Sequence, residues 1–273
     1  MNNSNNLRSN NLRSNTPSNC SPQTAVEGSF ENISDNRFEF NDWTGLLISI
    51  VIVGLWLTSL LNLLSVSVLN SSWIWLVVGI VARTYLHTGL FILAHDAMHG
   101  NLIPHHKSLN STIGRLAVGI YGLLPYDRCA MNHANHHRYP SQNGDPDFHG
   151  TLSHPIFWYC KFLREYFSWR SLITFLISVI ILFGGLMLIF KVALINLILF
   201  GLVPLVLSSL QLFFFGTYLP HQQIYPNPNF SPRTDTNFYS TLWAFLSCYN
   251  FGHYHWEHHE YPQTPWYRLH KTH

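Results

Sequence analysis

The chain has 273 residues, enough for a sizeable core, but only 10% are charged against 15% aromatic, where soluble domains carry roughly 25% charged residues. That balance points to a bilayer as the solvent for much of the chain. A net charge of +2 with no long basic run gives no reason to propose a nucleic-acid partner.

Residues 1–41 are polar, and Asn6 to Asn10 repeats as Asn11 to Asn15 (Asn-Leu-Arg-Ser-Asn twice). Such a segment buries too little apolar surface to offset its ordering entropy, so a disordered tail is expected, followed by one membrane domain over 42–273. The tail lacks the apolar stretch of a secretory signal, and Glu27, Glu31 and Asp35 argue against a transit peptide.

Residues 43–69 contain no charge and exceed the roughly 20 apolar residues that span a hydrocarbon core. Trp43 opens this first predicted span at an interface position. After the turn Asn70-Ser71-Ser72, a second span runs from Trp73 to about His95, broken only by Arg83 and His87. Extended to His99 this helix would be roughly 40 Å long, so its histidine-bearing end would emerge from a core of about 30 Å. Arg83 is costly in lipid and should face protein or a polar cavity, while His87 reads as a hydrogen-bonded core residue or an extension of the polar face. Residues 101–170 are polar apart from 113–124, too short to span and read as re-entrant or interfacial. Asn143 to Asp147 reads as a turn. Two further spans, 171–190 and 192–219, are separated only by Lys191.

Lys and Arg supply an orientation. Three lie in the tail, seven in 101–170 and three in 220–273, against Lys191 alone in the opposite turns. The positive-inside rule therefore places both termini and the middle segment in the cytoplasm. The cysteines Cys20, Cys129, Cys160 and Cys248 form no C-x-x-C pair, so isolated free thiols are expected rather than a disulfide framework or zinc ribbon.

The anomaly is histidine, with 17 copies. His95 and His99 are four apart; His133, His136 and His137, and again His255, His258 and His259, follow H-x-x-H-H. On a helix such spacings share one face, so several imidazoles can converge on one spot. Imidazole is a common ligand for iron, zinc and copper, and eight candidates exceed the four that close one zinc site. Two metal ions are therefore expected, on the face of the membrane where the charge argument independently places all three clusters. Asp96, Asp145, Asp147 and Glu257 sit beside the clusters and could orient imidazoles through the distal N–H, or be ordinary turn carboxylates. His105, His106, His149, His154 and His273 read as surface residues, and His253 stands between the two readings.

Three histidine boxes among four spans resemble the membrane fatty acid desaturase and hydroxylase superfamily. More narrowly, Thr88-Gly89-Leu90-Phe91-Ile92 leading into His95-Asp96-Ala97-Met98-His99-Gly100 is similar to the bacterial-type β-carotene ketolases. So are Asp145-Pro146-Asp147-Phe148, Gly216-Thr217-Tyr218-Leu219-Pro220-His221, Glu257-His258-His259-Glu260-Tyr261-Pro262 and Pro265-Trp266. The resemblance runs from about Trp43 to the C-terminus. It departs at Asn250, where these ketolases usually have histidine before Phe-Gly, and at His270, where they have proline.

The resemblance implies an all-α integral membrane protein, its four transmembrane helices bearing a cytoplasmic histidine-rich di-iron cap. It adds His221 as a ninth ligand to His95, His99, His133, His136, His137, His255, His258 and His259, and implies two non-haem ferrous ions with O2 as co-substrate. The implied reaction is two successive hydroxylations at C4 of a β-ionone ring and loss of water, giving the ketones echinenone and canthaxanthin. A membrane carotenoid would enter from the bilayer, with Tyr85, Phe91, Tyr121, Phe215 and Tyr218 as candidates for lining the route or simply as membrane core. Electrons would come from an external donor such as ferredoxin, since no flavin or nicotinamide fingerprint is evident. A carotenoid hydroxylase or lipid desaturase would share the iron boxes. A metal transporter would place ligands near the membrane midplane, and a haem protein needs only one or two axial histidines.

Overall fold

The computed structural model describes residues 42–151, 153–221 and 241–272. The expected tail and His273 lie outside these residues. Every regular element among them is helical, and four helices are long and apolar enough to cross a membrane. These are α1 (Asp42–Leu64), α2 (Trp73–Met98), α6 (Trp169–Phe190) and α7 (Leu194–His221). The remaining helices are short: α3 (Lys107–Gly122), α4 (Tyr126–Arg138), α5 (Pro155–Tyr166), α8 (Thr241–Cys248) and α9 (His255–Glu260).

The first span ends at Leu64, before the predicted residue 69. The last carbonyls of a helix have no donor within it, and here a neighbour supplies one: Asn196 Nδ2 donates to the carbonyls of Leu63, Leu64 and Val66 at 3.0, 3.1 and 2.7 Å. A short 3₁₀ turn, Val68–Asn70, then leads into α2. Between α6 and α7 the turn is tighter still, with Lys191 at φ 56° and Val192 N–H donating to the Leu186 carbonyl. Helix α6 buries none of its residues, so its apolar surface is left for lipid.

Helix α2 is the centre of the bundle, packing against α1, α3 and α7. Its first turns are exposed, whereas the stretch from Leu90 to Ala97 is buried except at Phe91. Leu90 to Ala97 is enclosed by protein and the exposed first turns are apolar, so neither half carries a solvent-facing polar stripe. Arg83 is 1% exposed and held by partners on two neighbouring helices. Its Nη1 donates to the Trp56 carbonyl at 2.6 Å and Ser59 Oγ at 3.2 Å, and its guanidinium lies 4.8 Å over the Trp56 ring. Its Nε donates to the Phe200 carbonyl at 3.2 Å; Pro204, one turn later, has no N–H to give that oxygen. His87 is a core residue, accepting from Trp56 Nε1 at Nδ1 and bonding the Tyr121 carbonyl at Nε2.

Helix α2 stops at the first histidine box through a backbone device. Gly100 adopts φ 77°, its N–H donates to the Ala97 carbonyl, and Asn101 N–H donates to the Asp96 carbonyl. This is a Schellman ending, which favours glycine. Asn110 then fastens the following loop, donating to the Ala97 carbonyl and accepting from Ile103 N–H.

The short apolar segment predicted over 113–124 is the second half of α3, which begins at Lys107. Ala117, Val118 and Tyr121 face the core, while Leu109, Leu116 and Ile120 are exposed, the pattern of an interfacial amphipathic helix. Close approach of α3 to α2 requires Gly114: a Cβ there would sit 2.7 Å from Ala97 Cβ and 2.5 Å from Tyr126 Cε2.

Candidate metal centre

The C-terminal ends of α2 and α7 present His95, His99 and His221, and α4 and α9 supply the remaining box histidines. These side chains form two groups of four. His95, His99, His133 and His258 make the first; His136, His221, His255 and His259 make the second, each with its candidate ligand atoms within 4.8 Å of one another. Neither H-x-x-H-H box serves a single site. On α4, His133 joins the first group and His136 the second; on α9, His258 joins the first while His255 and His259 join the second. In both boxes the i and i+4 rings go the same way, His255 with His259 and His133 with the adjoining His137, while the i+3 ring, His258 or His136, set about 100° around the helix from its i+4 neighbour, reaches the other site.

His137 falls outside both quartets yet adjoins the first, its Nε2 lying 3.1 Å from that of His133 and 2.9 Å from that of His258. Its ring stacks on His259 of the second group at 4.3 Å, so it stands between the two. Elsewhere, His99 and His133 bring their Nε2 atoms to 2.6 Å, and His259 Nε2 is 3.0 Å from that of His136 and 3.1 Å from that of His255. Two nitrogens bound at about 2.1 Å to one ion at right angles would be roughly 3 Å apart, so the spacing fits metal coordination.

The opposite ring nitrogens support this reading. His136 Nδ1 pairs with Asp145 Oδ1 at 2.9 Å, and His221 Nδ1 with Ser141 Oγ at 2.7 Å. His136 thus keeps its proton on Nδ1 and turns the Nε2 lone pair toward the second group, the outer-shell arrangement usual for metal-bound imidazole. His221 Nε2 is buried with no hydrogen-bond partner, as a nitrogen reserved for a cation would be.

Burial holds His99, His133, His255, His258 and His259 well below the ordinary imidazole pKa, and neighbouring imidazoles add to the effect. His137 is pulled down to about 3 by burial and then by His136. All six therefore keep the neutral, metal-binding form. His136 runs the other way: burial pulls it down, but the Asp145 hydrogen bond and the charges of Asp147 and Asp145 outweigh burial and raise it. That environment favours positive charge at the second group, whether a proton or a metal ion carries it.

The four carboxylates beside the boxes part company. Asp145 orients His136 and also accepts from Ser141 N–H and Asp147 N–H, each at 2.8 Å. Asp96 instead accepts from Trp266 N–H, and its other oxygen is 3.6 Å from His95 Nδ1, beyond hydrogen-bond range. Asp147 accepts from the Tyr166 hydroxyl and, at 3.4 Å, from Thr217. Glu257 is buried. Sequence reasoning missed Ser141, which reaches His221 across 80 positions of chain.

Among the described residues, the other histidines stay outside both groups. His105, His106 and His154 are exposed as expected. His149 is not a surface residue: it is 7% exposed, packed against Trp158 at 4.6 Å. His253 rests against Tyr254. Asn250, at φ 72°, donates from Nδ2 to the Trp266 carbonyl and so anchors the last turn.

A cavity meets both groups, touching His95, His133 and His258 of the first and His136 and His255 of the second. Its other walls are mostly apolar, with Phe91, Met98, Phe162, Leu212 and Phe251. Of the aromatics proposed for a substrate route, Phe91 lines this cavity, whereas Tyr85 stacks on Tyr249 at 4.3 Å and Tyr218 packs among Phe213, Phe214 and Trp158.

Comparison with known proteins gives the site a lineage. The Fatty acid desaturase family model matches residues 70–169 and 154–273. The chain is 38% identical to a β-carotene ketolase of Paracoccus sp. (strain PC1) over 72% of its length and 78% of that protein. It is 34% identical to one from Paracoccus sp. (strain N81106 / MBIC 01143) over 84% of its length and 92% of that protein. A zeaxanthin 4-ketolase of Chlamydomonas reinhardtii is 32% identical, over 82% of this chain and 50% of the relative. No solved structure matches the chain. With these matches covering most of its length, the chain belongs to the fatty acid desaturase family and, within it, to the β-carotene ketolase group.

Proposed function

We propose that the protein is a β-carotene 4-ketolase that uses O2 at a non-haem di-iron centre. The observation that carries this reading is the pair of four-histidine groups opening onto one largely apolar cavity. The first iron would be held by His95, His99, His133 and His258 with His137 beside them, and the second by His136, His221, His255 and His259. Bound there, the two irons would supply reductive activation of O2 for attack on a C–H bond. Overall, each hydroxylation consumes one O2, two electrons and two protons and yields one water. Two hydroxylations at C4 followed by loss of water from the geminal diol turn the ring CH2 into a ketone.

The protein's own part is positioning. Phe91, Met98, Phe162 and Leu212 offer a hydrocarbon surface to a β-ionone ring, and α2 and α7, which carry Phe91 and Leu212, are also the helices that would face the bilayer from which a carotenoid arrives. Asp145 fixes the tautomer and orientation of His136, and Ser141 holds the orientation of the His221 ring. With both histidine-bearing helix ends on one side of the bundle, the positive-inside count assigns that side, and both termini, to the cytoplasm. There a soluble one-electron carrier such as a ferredoxin has access.

The names of the relatives support a ketolase over a hydroxylase or desaturase, and both groups lie at helix ends rather than at a midplane transport site. Expression in cells that accumulate β-carotene, with pigment analysis, tests the reading: echinenone and canthaxanthin are expected, and their absence would sink it. Purified protein should carry about two irons. Full activity without iron would refute the mechanism.

A further inference from the structure

The cavity wall is hydrocarbon or imidazole almost everywhere except at one corner, where Asp147, Tyr166 and Thr217 meet. Asp147 Oδ1 accepts from the Tyr166 hydroxyl at 2.9 Å, and Oδ2 accepts from the Thr217 hydroxyl at 3.4 Å. All three are at least nine-tenths buried. The pattern differs from that of Asp145, which faces a histidine; Asp147 bonds no imidazole and borders the cavity instead. A buried carboxyl group is costly unless its polar atoms are used, and two donors leave part of its capacity open, because it offers about four acceptor sites when ionised and spare acceptor capacity when protonated. Gly216, beside Thr217, also lines the cavity, and a Cβ there would meet nothing within 4 Å. The polar corner thus has space next to it.

A β-carotene ring has no group that could use this corner. The alcohol formed from it does. We infer that Tyr166, Asp147 and Thr217 hold the C4 hydroxyl of the first product, keeping it in the cavity and presenting its remaining C4–H for the second oxidation. The inference rests on the ketolase reading. The alcohol O–H would donate to Asp147, and its oxygen would accept from Thr217, whose long 3.4 Å bond is the one most readily exchanged. No proton or electron is transferred in this binding step. These residues therefore act on specificity between the two oxidations.

The test uses the full chain in membranes with its electron donor, given in parallel β-carotene and the 4-hydroxylated carotenoid. Tyr166→Phe, Asp147→Asn and the isosteric Thr217→Val are compared with wild type, with bound iron measured in each. KM for the alcohol should rise about tenfold in Asp147→Asn, and less in the other two, relative to KM for the hydrocarbon. The alcohol should accumulate when β-carotene is supplied. Equal changes for both substrates, or none, would overturn the inference and leave these residues a structural role. Thr217→Val removes only the weakest bond and keeps the test available if the other variants lose iron. Absence of any ketone from the wild type would defeat the ketolase reading itself, whereas ketone formation with an unmoved ratio of alcohol to ketone would defeat only this inference.

Discussion

Replacing Asp145 with asparagine probes the second histidine group through a residue that does not belong to it. The carboxylate accepts three hydrogen bonds, from His136 Nδ1 at 2.9 Å and from Ser141 and Asp147 N–H at 2.8 Å each. Asparagine retains one acceptor oxygen, and its amide offers donors where at least one partner is itself a donor. Bonds to an ionised group are worth about 1.5–3 kcal/mol each, and loss of an outer-shell partner typically lowers metal affinity about 10- to 100-fold. That range corresponds to roughly 1.4–2.8 kcal/mol at 25 °C. Because Asp145 touches His136 and no member of the other group, the loss should be confined to one ion. Iron is measured after dialysis against graded chelator: wild type should keep about two ions, and Asp145→Asn should release one of them at roughly 10- to 100-fold lower chelator strength. Asp127→Asn is the control, since its pair with Arg115 at 2.8 Å is exposed and worth about 0–1 kcal/mol. Unchanged iron retention in Asp145→Asn, or parallel loss of both ions, would refute the role of Asp145 in supporting the second group through His136.

Three further outcomes are expected. Since His99, His133, His137, His255, His258 and His259 are held below the ordinary imidazole value, the unfolded chain takes up their protons first as pH falls below about 6.5. Each then costs about 1.4 kcal/mol of stability per pH unit until its folded pKa is reached, for His137 at about 3, with His136 opposing. The melting temperature of iron-free protein should therefore drop steeply from pH 7 to pH 5, and a flat profile would contradict it. Gly114→Val should destabilise by about 1–3 kcal/mol through overpacking against Ala97 and Tyr126, read by thermal melting in detergent; wild-type stability would show that α2 and α3 are not in close contact. Burial pushes the Cys129 and Cys248 thiols up to about 12, whereas Cys160 is exposed. Maleimide labelling of folded protein followed by peptide mapping should modify Cys160 and spare the other two, and labelling of Cys129 would argue against the packing around the cavity.

Much of the architecture follows from local sequence. A run of apolar residues with no charge has few options other than a spanning helix, because unpaired backbone groups are too costly in hydrocarbon. The four spans are accordingly found within a few residues of where hydropathy puts them. The discrepancies have tertiary causes: α1 stops short where Asn196, distant in sequence, takes its last carbonyls, and α3 starts before its apolar stretch because Asn110 ties its first turn to α2. The histidine spacings likewise mark the candidate ligands, since i, i+3 and i+4 must share a helix face.

Which histidine joins which group could not be read from spacing. Both H-x-x-H-H boxes divide between the groups, and that division depends on where α4 and α9 stand relative to the ends of α2 and α7. The same applies to carboxylates with identical local surroundings: in Asp145-Pro146-Asp147 one oxygen pair faces His136 and the other faces Tyr166 and the cavity. His149 reads as a surface residue by its polar neighbours, yet it is buried with Trp158 and Phe148 packed against its ring. By itself, the sequence determined the spanning helices and the candidate ligands, because these rest on composition and periodicity within short stretches, while the family was reached through the resemblance of its histidine-box motifs. The pairing of ligands into two groups, the outer-shell partners and the polar corner of the cavity were decided by the tertiary structure, because each depends on contacts between side chains far apart in the chain.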